Sequence, residues 1–239
     1  MSLSARSVSS SLLAATSLAL AVSGCGREEV QYEPQPSPTV KAALPPVPNV
    51  PQSPIKVGDA YTVWGASYYL RSRVHKNEVS GQGITIEGYI SKTNLPDAPE
   101  CAVHKGGKAD PEDCKPDIPT FWLADSRDAP EKDAIPVMGW ASNYAQIFDA
   151  IEEIDKSGEE DAEPQDTFWG IPIPVPLPAP GAKARVTGRY STTFIGSSTG
   201  TEADPIMGIL TYQKINYIER APEPVTLPGV KRKEHKEKE

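Results

Sequence analysis

Apolar side chains recur at every second position in five short segments between residues 84 and 219, and one segment of a different period interrupts them. In "ITIEGYISKT", Ile84, Ile86 and Ile90 fall on one face, with Thr85, Glu87 and Ser91 on the other. That alternation is the signature of a half-buried strand. "TFWLADS" from residue 120 and "IPVMGWA" from residue 135 read as two more strands, joined by the polar "RDAPEKDA" in a hairpin connection. Pro136 falls near a strand start, where a missing backbone donor is tolerated. The period then changes. In "SNYAQIFDAIEEIDKSG", Ile147, Phe148, Ile151 and Ile154 share one helical face, Asn143 with Gln146 offers a cap, and Gly158 offers a stop. Alternation returns in "AKARVTGRYSTTF", where Ala184, Val186, Tyr190 and Phe194 oppose Lys183, Arg185 and Arg189. In the last segment, "GILTYQKINYIE", the apolar phase slips between Tyr212 and Ile215, which predicts a β-bulge.

Three strands, one helix and two strands is the element order of an OB-like barrel, a mostly β fold of five strands with its helix between strands 3 and 4. Ahead of it, "YTVWGASYYLRS" reads as a short strand running into a helix. The stretch from residue 57 to 220 has the length of one domain with a sizeable core. On such a barrel, Trp122, Trp140 and Tyr89 with Lys183, Arg185 and Arg189 would form an aromatic and basic face, of the kind that takes single strands or sugars. Core tryptophans and solvated strand charges explain the same residues with less. The face would be flanked by the first interstrand loop and by residues 195–207.

The N-terminus carries Arg6 and then an apolar run from Leu12 to Val22. That run is too short for the roughly 20 residues of a membrane-spanning helix and reads as a secretory signal, residues 1–24. Val22, Ser23, Gly24 and Cys25 resemble the lipobox of bacterial lipoproteins. The resemblance implies cleavage after Gly24, a diacylglycerol on the Cys25 thiol and a palmitate-type acyl chain on the new amine. One acyl chain binds a membrane marginally, whereas two or three hold it durably. Residues 25–56 form the tether, with eight prolines between Pro34 and Pro54. At roughly 3.1 Å per residue in polyproline II, the tether could reach about 90 Å. Residues 221–239 read as a charged disordered tail. The chain carries a net charge of −8, and loss of Arg6 with the signal takes it to −9. That balance speaks against wholesale binding of nucleic acid, and none is expected as a partner.

With Cys25 taken by lipid, Cys101 and Cys114 are the two cysteines left, and an oxidising compartment favours their pairing. The rival reading is a zinc site from Cys101, His104 and Cys114, in a small envelope metalloenzyme. Asp110, Glu112 and Asp113 offer oxygen ligands for calcium without the register of an EF-hand. "GSSTG" at 196–200 formally nominates Ser198 as a nucleophile, but a nucleophile elbow needs a strand, a turn and a helix, and the only later histidine is His235 in the tail. "IPIPVPLPAPG" from 171 places proline at alternate positions. Those prolines exclude a central strand and leave an extended segment that packs Ile171, Ile173, Val175 and Leu177 on the barrel, or docks on another protein.

"ITIEGYI", "CAVHKGGKADPEDC", "IPTFWLADS" and "ARVTGRY" together resemble an uncharacterised family of bacterial envelope lipoproteins with OB-like domains, over residues 60 to 220. The resemblance implies a fold and a location but no catalytic residues. The expectation is therefore a lipid-anchored envelope protein at the outer membrane whose domain binds and does not catalyse. It has no cofactor or resident metal, and its partner is an envelope protein or polysaccharide.

Overall fold

A computed structural model describes residues 53–197 and 200–231. Cys25, nearly all of the tether, Ser198 and His235 lie outside the described residues. The chain runs β1 (Lys56–Val57), β2 (Ala60–Thr62), α1 (Val63–Arg71), α2 (Lys76–Val79), β3 (Gln82–Thr93), β4 (Phe121–Ala124), β5 (Ile135–Met138), α3 (Tyr144–Ser157), β6 (Lys183–Ser191), β7 (Thr193–Ser197), β8 (Gly200–Ala203) and β9 (Ile209–Glu219). Strands β3, β4, β5, β9 and β6 pair in that order, and β6 returns to β3 to close a five-stranded barrel. Every contact of this ring is antiparallel except β5 with β9, which is parallel. That is the OB topology, with α3 between the third and fourth barrel strands.

Alternation decides what fills the barrel. Ile84, Ile86 and Ile90 of β3, Phe121 and Leu123 of β4, Ile135 and Val137 of β5, and Ala184, Val186 and Tyr190 of β6 are all buried in one core. Each fully buried large side chain contributes roughly 1.5–3 kcal/mol. α3 adds Ile147 and Ile151 to that core, and Phe148 packs half-buried at its edge. The Asn143 side chain accepts from the Gln146 amide at 3.0 Å and caps α3. Gln146 does not reach back to close a capping box: its Oε1 accepts instead from the Thr167 amide at 2.8 Å and hydroxyl at 2.9 Å. The phase slip in β9 is a bulge. Thr187 faces Lys214 and Gly188 faces Tyr212, so Gln213 is left over.

Two departures from strict alternation bear on the site. Phe194 does not continue the inner face of β6; it belongs to β7, which pairs with β8 in a separate two-stranded hairpin. Glu87, on the outward face of β3, is only 8% exposed, because Lys183 Nζ and Arg185 Nε close on it at 3.0 and 2.9 Å. On the edge of β3 not taken by β6, β2 runs parallel beside Ile86 and Glu87 and leads directly into α1. The first turn of α1 is capped twice: Thr62 Oγ1 accepts from the Gly65 amide, and the Asp125 carboxylate accepts from the Val63 and Trp64 amides at 2.9 and 2.8 Å. The proline segment behaves as packing, with Ile173 and Leu177 buried, Ile171 at the edge of the core and Val175 half-exposed. The Tyr217 hydroxyl donates to the Pro176 carbonyl at 2.7 Å.

Candidate binding site

The aromatic and basic face expected from the sequence is not assembled. Trp140 is fully buried in the core, its ring 6.2 Å from that of Phe121, because it follows β5 into the barrel wall and not onto its surface. Tyr89 and Trp122 do face outward, but cations already cover them: Lys92 Nζ lies 4.9 Å from the Trp122 ring centre, and Arg127 and Lys183 lie 5.1 and 5.6 Å from that of Tyr89. Each cation is also paired, Lys92 with Glu131, Arg127 with Glu219, Lys183 with Glu87, and Arg185 with Glu87 and Asp59. Burial alone would raise the Glu87 carboxyl; hydrogen bonds and charge from Lys183 and Arg185 outweigh it and hold the group below the ordinary carboxylate range. The same bonds to Glu87 raise Lys183 and Arg185. A face whose charges cancel locally has little attraction for a polyanion. Arg189 stands apart, with its guanidinium beside Gly81 at the other end of β6.

What the fold does build is a cavity of about 400 Å³ between the β3–β4 loop and the N-terminus of α3. The neck of that loop is closed by Asn94, whose Nδ2 donates to the Ile118 carbonyl at 2.7 Å and whose Oδ1 accepts from the Thr120 amide at 2.8 Å. Leu95, Ala98 and Ala102 anchor the first half in the core. Cys101 and Cys114 then form a disulfide with a Cα–Cα distance of 6.0 Å. Inside the disulfide loop, His104 Nδ1 lies 3.0 Å from the Lys105 carbonyl and Nε2 lies 2.9 Å from Asp110. With an acceptor at each nitrogen, the ring is raised above its ordinary value, first by the Lys105 carbonyl and then by Asp110. The Gly106 amide donates to the Asp149 carboxylate at 3.1 Å and ties the loop to α3.

The opposite wall is built around a buried aspartate. Asp166 is fully buried, and its carboxylate accepts from the Ser142, Phe168 and Trp169 amides at 2.6, 2.9 and 2.8 Å. With Gln146 holding Thr167, this turn is fastened to the start of α3 by three hydrogen bonds, and it presents Phe168 at the cavity rim, 70% exposed. An aspartate two and three residues before amides it can reach is an Asx-type turn signal, and "DTFWG" carries it. The cavity is lined by both signs of charge, Lys115 and Lys108 against Asp110 and Asp117.

The two loops that flank the ligand face of an OB barrel meet here. Ile118 from the β3–β4 loop, Met138 of β5, Phe194 of β7 and Ile209 of β9 form a second apolar cluster, with Trp169 against it. Gly139, at φ +82°, leaves the space that the Phe194 ring occupies. This chain's own side chains thus cover part of the outer β5 surface, and the open space lies beside it under the disulfide loop.

The disulfide removes both thiolates of the zinc reading, leaving His104 alone with Asp110. Glu112 and Asp113 point into solvent. Among the described residues no three His, Cys, Asp or Glu side chains converge as a metal site, and no helix is long and apolar enough to cross a membrane. No protein family, curated protein or solved structure matches the chain.

Proposed function

We propose that this chain is an envelope lipoprotein, anchored through Cys25, whose OB-like barrel is a binding or assembly domain and not an enzyme. The observation that carries the binding half is the cavity of about 400 Å³ under the disulfide-closed loop, with exposed Phe168 at its rim. A loop already ordered by a disulfide, by Asn94 and by the Gly106–Asp149 bond loses little freedom when it closes on a partner, so less of the binding energy is spent on ordering. The mixed charges and the aromatic rim suit an envelope protein or a polysaccharide better than a nucleic acid. The anchoring half rests on Val22–Cys25 and on the resemblance to OB-like envelope lipoproteins.

The test has two arms. Intact mass of the protein purified from membranes should show a diacylglycerol on Cys25 with residues 1–24 removed, and Cys25→Ser should leave an uncleaved or unlipidated chain. In intact cells, crosslinking followed by mass spectrometry should recover a partner through the β3–β4 loop. An unlipidated mature chain would overturn anchoring, and stoichiometric metal with hydrolase activity would overturn the non-catalytic reading.

A further inference from the structure

The solvent face of α1 carries an arrangement that the barrel does not use. Trp64, Tyr68 and Arg71 are spaced i, i+4 and i+7 and share one face, opposite the buried Val63, Ala66, Ser67 and Leu70. The Trp64 and Tyr68 rings stack nearly parallel, 5.0 Å apart at 12°, and Tyr68 is 46% exposed. The chain then turns on Ser72, whose hydroxyl accepts from the Val74 and His75 amides at 3.2 Å each. That turn holds Val74 out at 81% exposure between exposed Arg73 and Lys76. Of the carboxylates here, Glu78 is taken by His75 at 2.7 Å, and Asp125 accepts from the Val63 and Trp64 amides at the first turn. Arg189 lies beside Gly81, just beyond α2, and extends the positive surface. On a chain of net charge −8 this corner is a local reversal of sign, with aromatic and aliphatic side chains among the cations.

Its position matters as much as its chemistry. The described chain enters the domain at the first turn of α1: the Thr62 hydroxyl donates to the Pro54 carbonyl at 2.6 Å, and a Cβ on Gly65 would overlap the Ile55 carbonyl. The segment leading back to Cys25 therefore joins the domain next to Trp64. We infer that this α1–α2 corner, presenting Trp64, Tyr68, Arg71, Arg73, Val74 and Lys76, docks the barrel on the anionic phospholipid headgroups of the membrane that holds its own lipid anchor. The inference rests on the anchoring reading. An anchor at Cys25 would confine the domain near the membrane surface, so a contact too weak to hold a free protein suffices for an anchored one. Aromatic rings seat at the headgroup level, and each cation near an anionic surface adds attraction. Docked in this way, the barrel would lie against the bilayer with a fixed side toward it.

The test uses the membrane-purified protein, reconstituted in vesicles of phosphatidylcholine with about 30% phosphatidylglycerol and brominated acyl chains, and reads tryptophan quenching. Intact mass is measured on the same sample. The expected result is quenching at least about twofold greater than in phosphatidylcholine alone, abolished by Arg71→Glu/Arg73→Glu/Lys76→Glu and by roughly 0.5 M salt, and mostly lost in Trp64→Phe. Circular dichroism checks that the variants fold, and the salt series needs no variant at all. A lipidated protein whose quenching ignores lipid charge, salt and the triple substitution would overturn docking and leave anchoring intact. A mass without diacylglycerol would overturn anchoring and docking with it. Trp64 emission that responds to soluble polysaccharide and not to anionic vesicles would assign the surface to a glycan and overturn the membrane assignment.

Discussion

The β3–β4 loop and the β6–β9 connection sit on the same side of the barrel and are secured by opposite means. The first is fastened along its length by directional bonds: Asn94 at the neck, the Cys101–Cys114 disulfide, His104 with Asp110, and Gly106 with Asp149. The second forms the β7–β8 hairpin. Phe194 inserts over Gly139, and Asp204 accepts from the Ile206 and Met207 amides at 2.9 and 2.8 Å. Ile195, 81% exposed, stands outside. A loop held by one covalent and several polar ties keeps a cavity open beneath it. A hairpin seated by a single buried ring covers a surface instead, and it depends on that ring.

The largest test of this contrast is Phe194→Ala. Emptying the second cluster is expected to cost about 3–4 kcal/mol, and hydrogen exchange should localise the loss to β7, β8 and Ile118 while the barrel strands stay protected. Next is Cys114→Ser. Opening a loop with a sequence separation of 13 removes about 3 kcal/mol, and because Asn94 and Gly106 remain, the loop should loosen between residues 101 and 114 without detaching. Denaturant unfolding read together with exchange decides both cases.

Smaller is the effect of Glu87→Gln. It leaves Lys183 and Arg185 without their shared anion and is expected to cost about 2 kcal/mol, read in thermal unfolding. Because the folded Glu87 carboxyl lies below its unfolded value, its contribution is present above the unfolded carboxylate range and is lost as pH falls through the depressed folded value. The wild type should therefore lose part of its acid stability relative to neutral pH, and Glu87→Gln should lose less. The smallest effect concerns His104. Its folded value is raised, so its contribution is full below the unfolded imidazole value and is lost as pH rises through the folded one. Exchange in the 101–114 loop should speed up above neutral pH by an amount worth less than about 1 kcal/mol, and His104→Gln should remove that pH dependence.

The same contrast explains how much could be read from residues alone. Directional local chemistry leaves a trace in sequence: Ile84, Ile86 and Ile90 announced the barrel, the Tyr212–Ile215 slip announced the bulge at Gln213, and the two cysteines announced their bond. What depends on register across the sheet leaves none. Lys183 and Arg185 were legible as outward cations, but only the pairing of Glu87 with Arg185 in the β3–β6 ladder shows that they are neutralised. Trp140 follows the core-tryptophan reading and not the ligand face, a choice the residues alone leave open because an aromatic ring at a strand end has no periodic partner to mark it as core. Phe194 continued the alternation of β6 on paper, whereas the chain leaves the ladder after Ser191. The Asp166 turn has a local trace in "DTFWG", but the bond from the Ser142 amide that seats it at the start of α3 has none.

On the proposed function, binding takes place beneath the disulfide-closed loop and not on the hairpin beside it. The direct measurement places a photo-crosslinking amino acid at Phe168, on the cavity rim, or at Ile195, on the hairpin, and irradiates intact cells before mass spectrometry. The expected result is a defined adduct from position 168 that disappears in the Cys114→Ser background, and none of the same identity from position 195. An adduct from 195 alone, or one from 168 that is indifferent to Cys114→Ser in a folded protein, would contradict it.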